Sequence, residues 1–90
     1  MQKNINKEIV KYLEKYNNQK VILNQLGFIE SEFVFESLIY DLEDDLLKFV
    51  DEKNNNIYMQ INLNQAYHID IFEDNITIFL DNDTQIKLSI

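Results

Sequence analysis

Between residues 56 and 90, apolar and polar residues alternate with a period of two in four successive runs, a pattern that belongs to strands with one buried face. Ile57, Met59, Ile61 and Leu63 alternate with Tyr58, Gln60 and Asn62. Tyr67, Ile69 and Ile71 alternate with His68, Asp70 and Phe72. Ile76, Ile78 and Leu80 alternate with Thr77 and Phe79, and Ile86, Leu88 and Ile90 with Lys87 and Ser89. The connections Asn64–Gln65, Glu73–Asn75 and Asp81–Thr84 are short and polar. Short links between alternating runs imply an antiparallel meander, because a parallel pair needs a long crossover. One face of that meander is nearly all Ile, Leu and Met, so something must cover it.

The N-terminal segment is the natural cover. Ile5, Ile9, Tyr12, Leu13 and Tyr16 fall on one face of a helix spanning residues 4–16. Lys3, Lys7, Lys11 and Lys15 form an i, i+4 ladder on the opposite face. That ladder is either a solvated surface or a docking strip for acidic groups. Asn17 and Asn18 break the helix. Residues 19–26, with Ile22, Leu23 and Leu26, read as a short second helix. Gly27, the only glycine, then sits at the left-handed position that ends helices, with Phe28 and Ile29 packing back over that end.

Residues 33–51 fit two periods. Phe35, Leu38, Ile39, Leu42, Leu46, Phe49 and Val50 make a helical stripe. Val34, Leu38 and Tyr40, then Leu47 and Phe49, make two strands around the acidic turn Glu43-Asp44-Asp45. The β-branched and aromatic content favours strands, and Asp51–Asn56 resembles a hairpin loop. The expected architecture is therefore α+β: one or two N-terminal helices packed on one face of an antiparallel β-meander of four to six strands. Residues 1–90 are expected to form a single domain. Within it, 1–30 are mainly helical, 31–55 are open between strand and helix, and 56–90 are the meander.

Charge is the second constraint. Residues 1–20 carry five Lys against two Glu, and residues 21–90 carry three Lys against fourteen Asp and Glu. The net charge of −8 thus hides a basic first fifth and a strongly acidic remainder. Such a field repels anionic lipid and nucleic-acid backbone, so neither a membrane nor a direct nucleic-acid partner is expected. Cysteine is absent, which removes disulfides and thiolate metal sites and points to the cytoplasm. The lysine ladder interrupts any apolar N-terminal run of the kind a signal peptide needs. The chain has no Arg and no Pro but many Ile and Asn, the usage expected of AT-rich coding in a low-GC bacterium or its phages.

Catalytic signals are weak. His68 is the only histidine, and alternation places it on the outer face beside Asp70, with no Ser or Cys nucleophile near it in sequence. Asp81-Asn82-Asp83-Thr84 has the spacing with which calcium loops begin, but it lacks their glycine and distal glutamate and also suits a turn. A phosphate loop cannot be built with one glycine. No enzyme activity, metal or cofactor is expected.

Two features point to a protein partner. Asp41, Glu43, Asp44, Asp45, Asp51 and Glu52 crowd into one short segment. Duplex DNA presents one charge about every 1.7 Å of its axis, and carboxylates on a rigid sheet can imitate that field. Tyr58, Phe72 and Phe79 alternate onto the outer face of the meander, where exposed aromatics mark an interface. The first feature suggests a stoichiometric inhibitor of a basic nucleic-acid-binding enzyme, such as an anti-CRISPR or anti-restriction factor. The second suggests an immunity protein, an antitoxin or a small structural subunit. A homodimer through the aromatic face is a further alternative.

Overall fold

The computed structural model describes residues 2–90, with side chains described from residue 6 onward. The parts expected of Ile5 and Lys3 in the two helix faces lie outside those described side chains. Helix α1 spans Gln2–Leu13 and tightens into a 3-10 turn at Glu14–Tyr16. Ile9, Leu13 and Tyr16, at i, i+4 and i+7, are buried, while Lys7, Lys11 and Lys15 are exposed. Tyr12, expected on the apolar face, lies at its margin and is partly exposed.

Asn18 ends this segment in the left-handed region, with φ 64°. Asparagine tolerates that conformation better than most residues. The Asn18 amide donates to the Leu38 carbonyl at 2.7 Å, and the Leu38 amide returns a bond to Gln19 at 2.9 Å. The exit from the helix thereby pairs with the start of a strand.

Eight strands follow: β1 Val21–Leu26, β2 Ser31–Phe35, β3 Leu38–Glu43, β4 Leu46–Asp51, β5 Asn54–Asn62, β6 Ala66–Ile71, β7 Asn75–Leu80 and β8 Gln85–Ser89. They form two antiparallel sheets, ordered β2-β1-β8-β7-β6 and β3-β4-β5. The class is α+β, with one short helix and more strands than the expected four to six.

Three expectations need correction. Residues 19–26 contribute β1 and not a second helix. Val21 and Leu23 are buried and Ile22 between them is not, so the operative period is two. An isolated eight-residue helix is marginal in water. As a strand the same segment bonds on both sides, to β2 and to β8. The first 30 residues are therefore helical only as far as Tyr16. Gly27 ends no helix, and Phe28 and Ile29 do not pack back; they stand on the β1–β2 turn.

The strand preference for residues 33–51 holds, with one added break. The segment divides at Glu36 and Ser37, so that β2 and β3 belong to different sheets. The buried Asp51 carboxylate makes this corner. It accepts the Glu36 amide at 3.0 Å, and the Ser37 and Lys53 amides at 3.1 Å each. The Glu52 amide adds a bond to the Ser37 carbonyl at 2.8 Å.

The meander of 56–90 is likewise split. β5 pairs back onto β4, and only β6, β7 and β8 run as consecutive neighbours in one sheet. Asn64–Gln65 is not a hairpin turn but part of a 3-10 corner, Leu63–Gln65, that carries the chain from one sheet to the other. Asn62 caps the Asn64 amide at 2.9 Å. The buried Leu63 donates its amide to Asp45, and Asp81 donates its amide to Gln65.

The inner faces of both sheets meet α1 in one core. Leu23, Phe35, Ile76, Ile78 and Leu88 come from the larger sheet, Leu38, Leu47, Phe49 and Ile61 from the smaller, and Ile9, Leu13 and Tyr16 from the helical segment. Asn6 ties α1 to the β3–β4 turn through Asp45, at 2.8 Å. Lys15 donates to the Glu73 carbonyl, and the Tyr40 hydroxyl donates to Glu14 at 3.2 Å. Among the described residues, no helix is long and apolar enough to cross a membrane.

Candidate protein-binding surface

Of the six clustered acids, five reach the surface and one does not. Asp41 and Glu43 point outward from β3, and Asp44 and Asp45 form the β3–β4 turn. Glu52 lies at the opposite end of that hairpin, one six-residue strand away, or about 17–20 Å. Asp51 is removed from any surface role: it is wholly buried. Burial alone would raise its pKa. The amide donors of Glu36, Lys53 and Ser37, together with the Lys53 charge, outweigh this and hold the carboxyl below the ordinary range. Asp45 is partly committed to α1 through Asn6.

The wider acidic surface is more telling than this cluster. Every Asp and Glu from residue 30 onward except Asp51 is exposed or half-exposed. Among the described residues the only contact within 4 Å between a basic side chain and a carboxylate is His68–Asp70, at 2.7 Å. No described lysine nitrogen lies within 4 Å of a carboxylate oxygen. Lys15 spends its donor on a backbone carbonyl, and Lys11 lies over the Tyr12 ring at 6.0 Å.

The three aromatics do not form one patch. Tyr58 is exposed on β5 of the smaller sheet, beside Val50 and hydrogen-bonded to Gln60. Phe79 lies on β7 and the exposed Phe72 just beyond β6, both with the larger sheet. Phe79 packs instead against Tyr67, with ring centroids 6.2 Å apart, and against His68 at 5.4 Å.

Tyr67 was expected on the inner face. A bulge reverses it: Ala66 faces Leu80 and His68 faces the adjacent Phe79, so Tyr67 has no partner of its own. The extra residue shifts the alternation by one, and Tyr67 and His68 both turn outward. His68 is oriented by Asp70 and the Phe79 ring. Thr77 on β7 lies opposite Asp70.

Phe28, the most exposed large apolar side chain among the described residues, and its neighbour Ile29 were expected to pack back over a helix end, not to stand in solvent. Phe28 is 94% exposed and Ile29 61% exposed, at the tip of the β1–β2 hairpin. The usable signal was Gly27-Phe28-Ile29-Glu30, four residues between two short runs that also alternate. The tip is braced from one side. Gly27 has φ +132°, and a Cβ there would strike the Asp83 carbonyl oxygen and lie 3.3 Å from Thr84 Cα. The β7–β8 turn, residues 81–84, thus abuts the tip, with Asp83 itself at φ 61°. Beside the tip, Asn24, Gln25, Leu26, Glu30, Ser31 and Glu32 line an open groove of about 270 Å³.

The Asp81-Asn82-Asp83-Thr84 segment closes this turn by the Leu80 amide donating to Thr84 at 2.8 Å. Among the described residues no three His, Cys, Asp or Glu side chains gather to hold a metal ion. Comparison with protein-family models, with curated proteins and with solved structures finds no match for this chain.

Proposed function

We propose that this chain is a non-enzymatic inhibitor that acts in the cytoplasm by binding a basic protein, and that its partner is a nucleic-acid-binding enzyme whose cationic channel it occupies. The observation that carries the reading is the un-neutralised acidic surface: the carboxylates beyond residue 30 are displayed on two packed sheets, and no described lysine lies within 4 Å of any of them. Intramolecular pairing would have weakened this field locally; left open, it steers a basic partner and favours association with it. The acids are distributed over both sheets and several turns, which suits a broad cationic surface better than a single pocket. Anti-CRISPR and anti-restriction factors are the classes this reading includes.

The test is retention of partners on the tagged full chain, washed through roughly 0.1 to 0.5 M salt, the range in which surface charge becomes strongly screened. A basic nucleic-acid enzyme should elute across that range, be inhibited by the purified chain, and bind the Asp41→Asn, Glu43→Gln double variant more weakly. These two positions are the probes because they face outward from β3, whereas Asp45 in the adjoining turn also anchors α1.

A second reading, an immunity protein, antitoxin or assembly subunit, draws on the exposed Tyr67 and His68 packed over the half-buried Phe79. It requires a partner that survives the high-salt wash. Self-association of the chain would instead support the homodimer.

A further inference from the structure

The apolar hairpin tip has a setting that identifies the kind of surface it fits. Phe28 projects from the end of the larger sheet with almost no intramolecular cover, and Ile29 beside it is mostly exposed. An isolated exposed side chain is ordinary, but an aromatic and a β-branched residue side by side on a braced turn form an anchor. The bracing comes from Gly27, whose bare Cα lets the Asp83 carbonyl approach closely. A turn held in this way loses little freedom on binding. The residues around it are acidic: Glu30 and Glu32 on one side, Asp81 and Asp83 on the adjoining turn, all exposed. No lysine lies in either turn or in β2.

We infer that Phe28 and Ile29 are the docking anchor of this protein, seated in an apolar pocket of a partner protein whose rim carries Lys or Arg. The inference rests on the binding function proposed above and specifies where that contact is made. Charge complementarity selects the occupant: an acidic collar around a second copy of the same collar would repel, whereas a basic rim satisfies it. The apolar core of such a contact would supply the part of the affinity that salt does not screen, and the collar the part that it does.

The experiment places a photo-crosslinking residue, p-benzoylphenylalanine, at position 28 of the full chain and separately at position 43 on β3, in cells that make the protein. The captured partner is then purified and titrated with the chain and its variants. Capture of a basic protein from position 28 is expected. Phe28→Ser should then weaken binding about 30-fold or more, with Phe28→Leu keeping most of the affinity. Asp81→Lys with Asp83→Lys should weaken it about 10-fold at low salt and within about twofold at 0.5 M. Phe28 is nearly fully exposed, so an unchanged melting temperature should show that Phe28→Ser folds as the parent does. Capture from position 43 but not from 28, or Phe28→Ser binding within twofold of the parent, overturns the anchor and leaves the inhibitory function standing. Capture of a second copy, or of an acidic partner, from position 28 overturns the choice of occupant. Failure of both positions to capture a basic protein overturns the anchor and the function together.

Discussion

Replacing Gly27 with Ala should unfold this protein far more readily than a surface turn substitution normally does. Two separate terms act at this one position. Its φ of +132° lies where side-chain-bearing residues are strained, a cost of about 1–3 kcal/mol. The new methyl group would also meet the Asp83 carbonyl oxygen, with the Asp83 carbonyl carbon and Thr84 Cα both at 3.3 Å. All three are backbone atoms, so no side chain can simply rotate away. Forced overlap of this kind costs about 1–3 kcal/mol after relaxation. The β7–β8 turn is exposed and can yield somewhat, which places the sum near 3 kcal/mol. A 90-residue chain holds about 5–13 kcal/mol in total. At roughly 4–8 °C per kcal/mol for a domain of this size, the melting temperature should fall by about 12–24 °C. In urea the midpoint should drop by about 3 M for a slope near 1 kcal/mol per M. Amide exchange should rise first where the hairpin tip meets residues 81–84. A melting temperature within about 2 °C of the parent would refute the reasoning, because it would mean that neither the backbone conformation nor the close approach is needed.

Two further predictions concern buried polar groups. Asp51 has its folded pKa held below the ordinary carboxylate range. Its contribution to stability should be whole above that range and be lost as the pH falls through the lowered value. Asp51→Asn should therefore be clearly less stable than the parent at pH 7, with the gap closing in acid; a constant gap in thermal melts from pH 7 to pH 2 would contradict this. Tyr16 is buried with its hydroxyl lacking a partner among the described residues, and burial, aided by the Asp74 charge, raises its pKa above 10. Tyr16→Phe should leave stability at pH 7 unchanged or raise it by up to about 1 kcal/mol. Because a raised pKa lets the unfolded chain ionise first, the parent should lose stability as the pH climbs above 10 and the variant should gain on it there. Destabilisation of Tyr16→Phe by more than that amount at pH 7 would show that the hydroxyl is satisfied.

Much of the fold can be read from local pattern. The alternation in residues 57–63, 69–71, 76–80 and 86–88 identifies the inward residues of β5 to β8, since a strand with one buried face imposes that period; Ile90, next in the same alternation, lies beyond the end of β8 and is exposed. Ile9, Leu13 and Tyr16 identify the covering helix for the same reason, at the helical period. Where the pattern misleads, the cause is tertiary. Val21, Ile22, Leu23 and Leu26 suit one helical turn or a strand equally, and the open edges of β2 and β8 decide between them. Tyr67 follows the alternation in sequence but is turned outward by a bulge that depends on the register with β7.

The sequence by itself determined the class, the antiparallel character of the sheet, the apolar face that needed cover and the acidic field, because periodicity and charge are properties of the chain that survive any arrangement of its elements. Tertiary structure alone decided that the strands divide into two sheets, that Asp51 turns inward while its acidic neighbours face water, and that Gly27 supports an exposed apolar tip instead of ending a helix. Each of these depends on a contact between segments far apart in the chain: Asp51 with Glu36 and Ser37, and Gly27 with Asp83. The energy of burying a carboxylate or sparing a Cβ is set by those distant neighbours and not by the residues beside it.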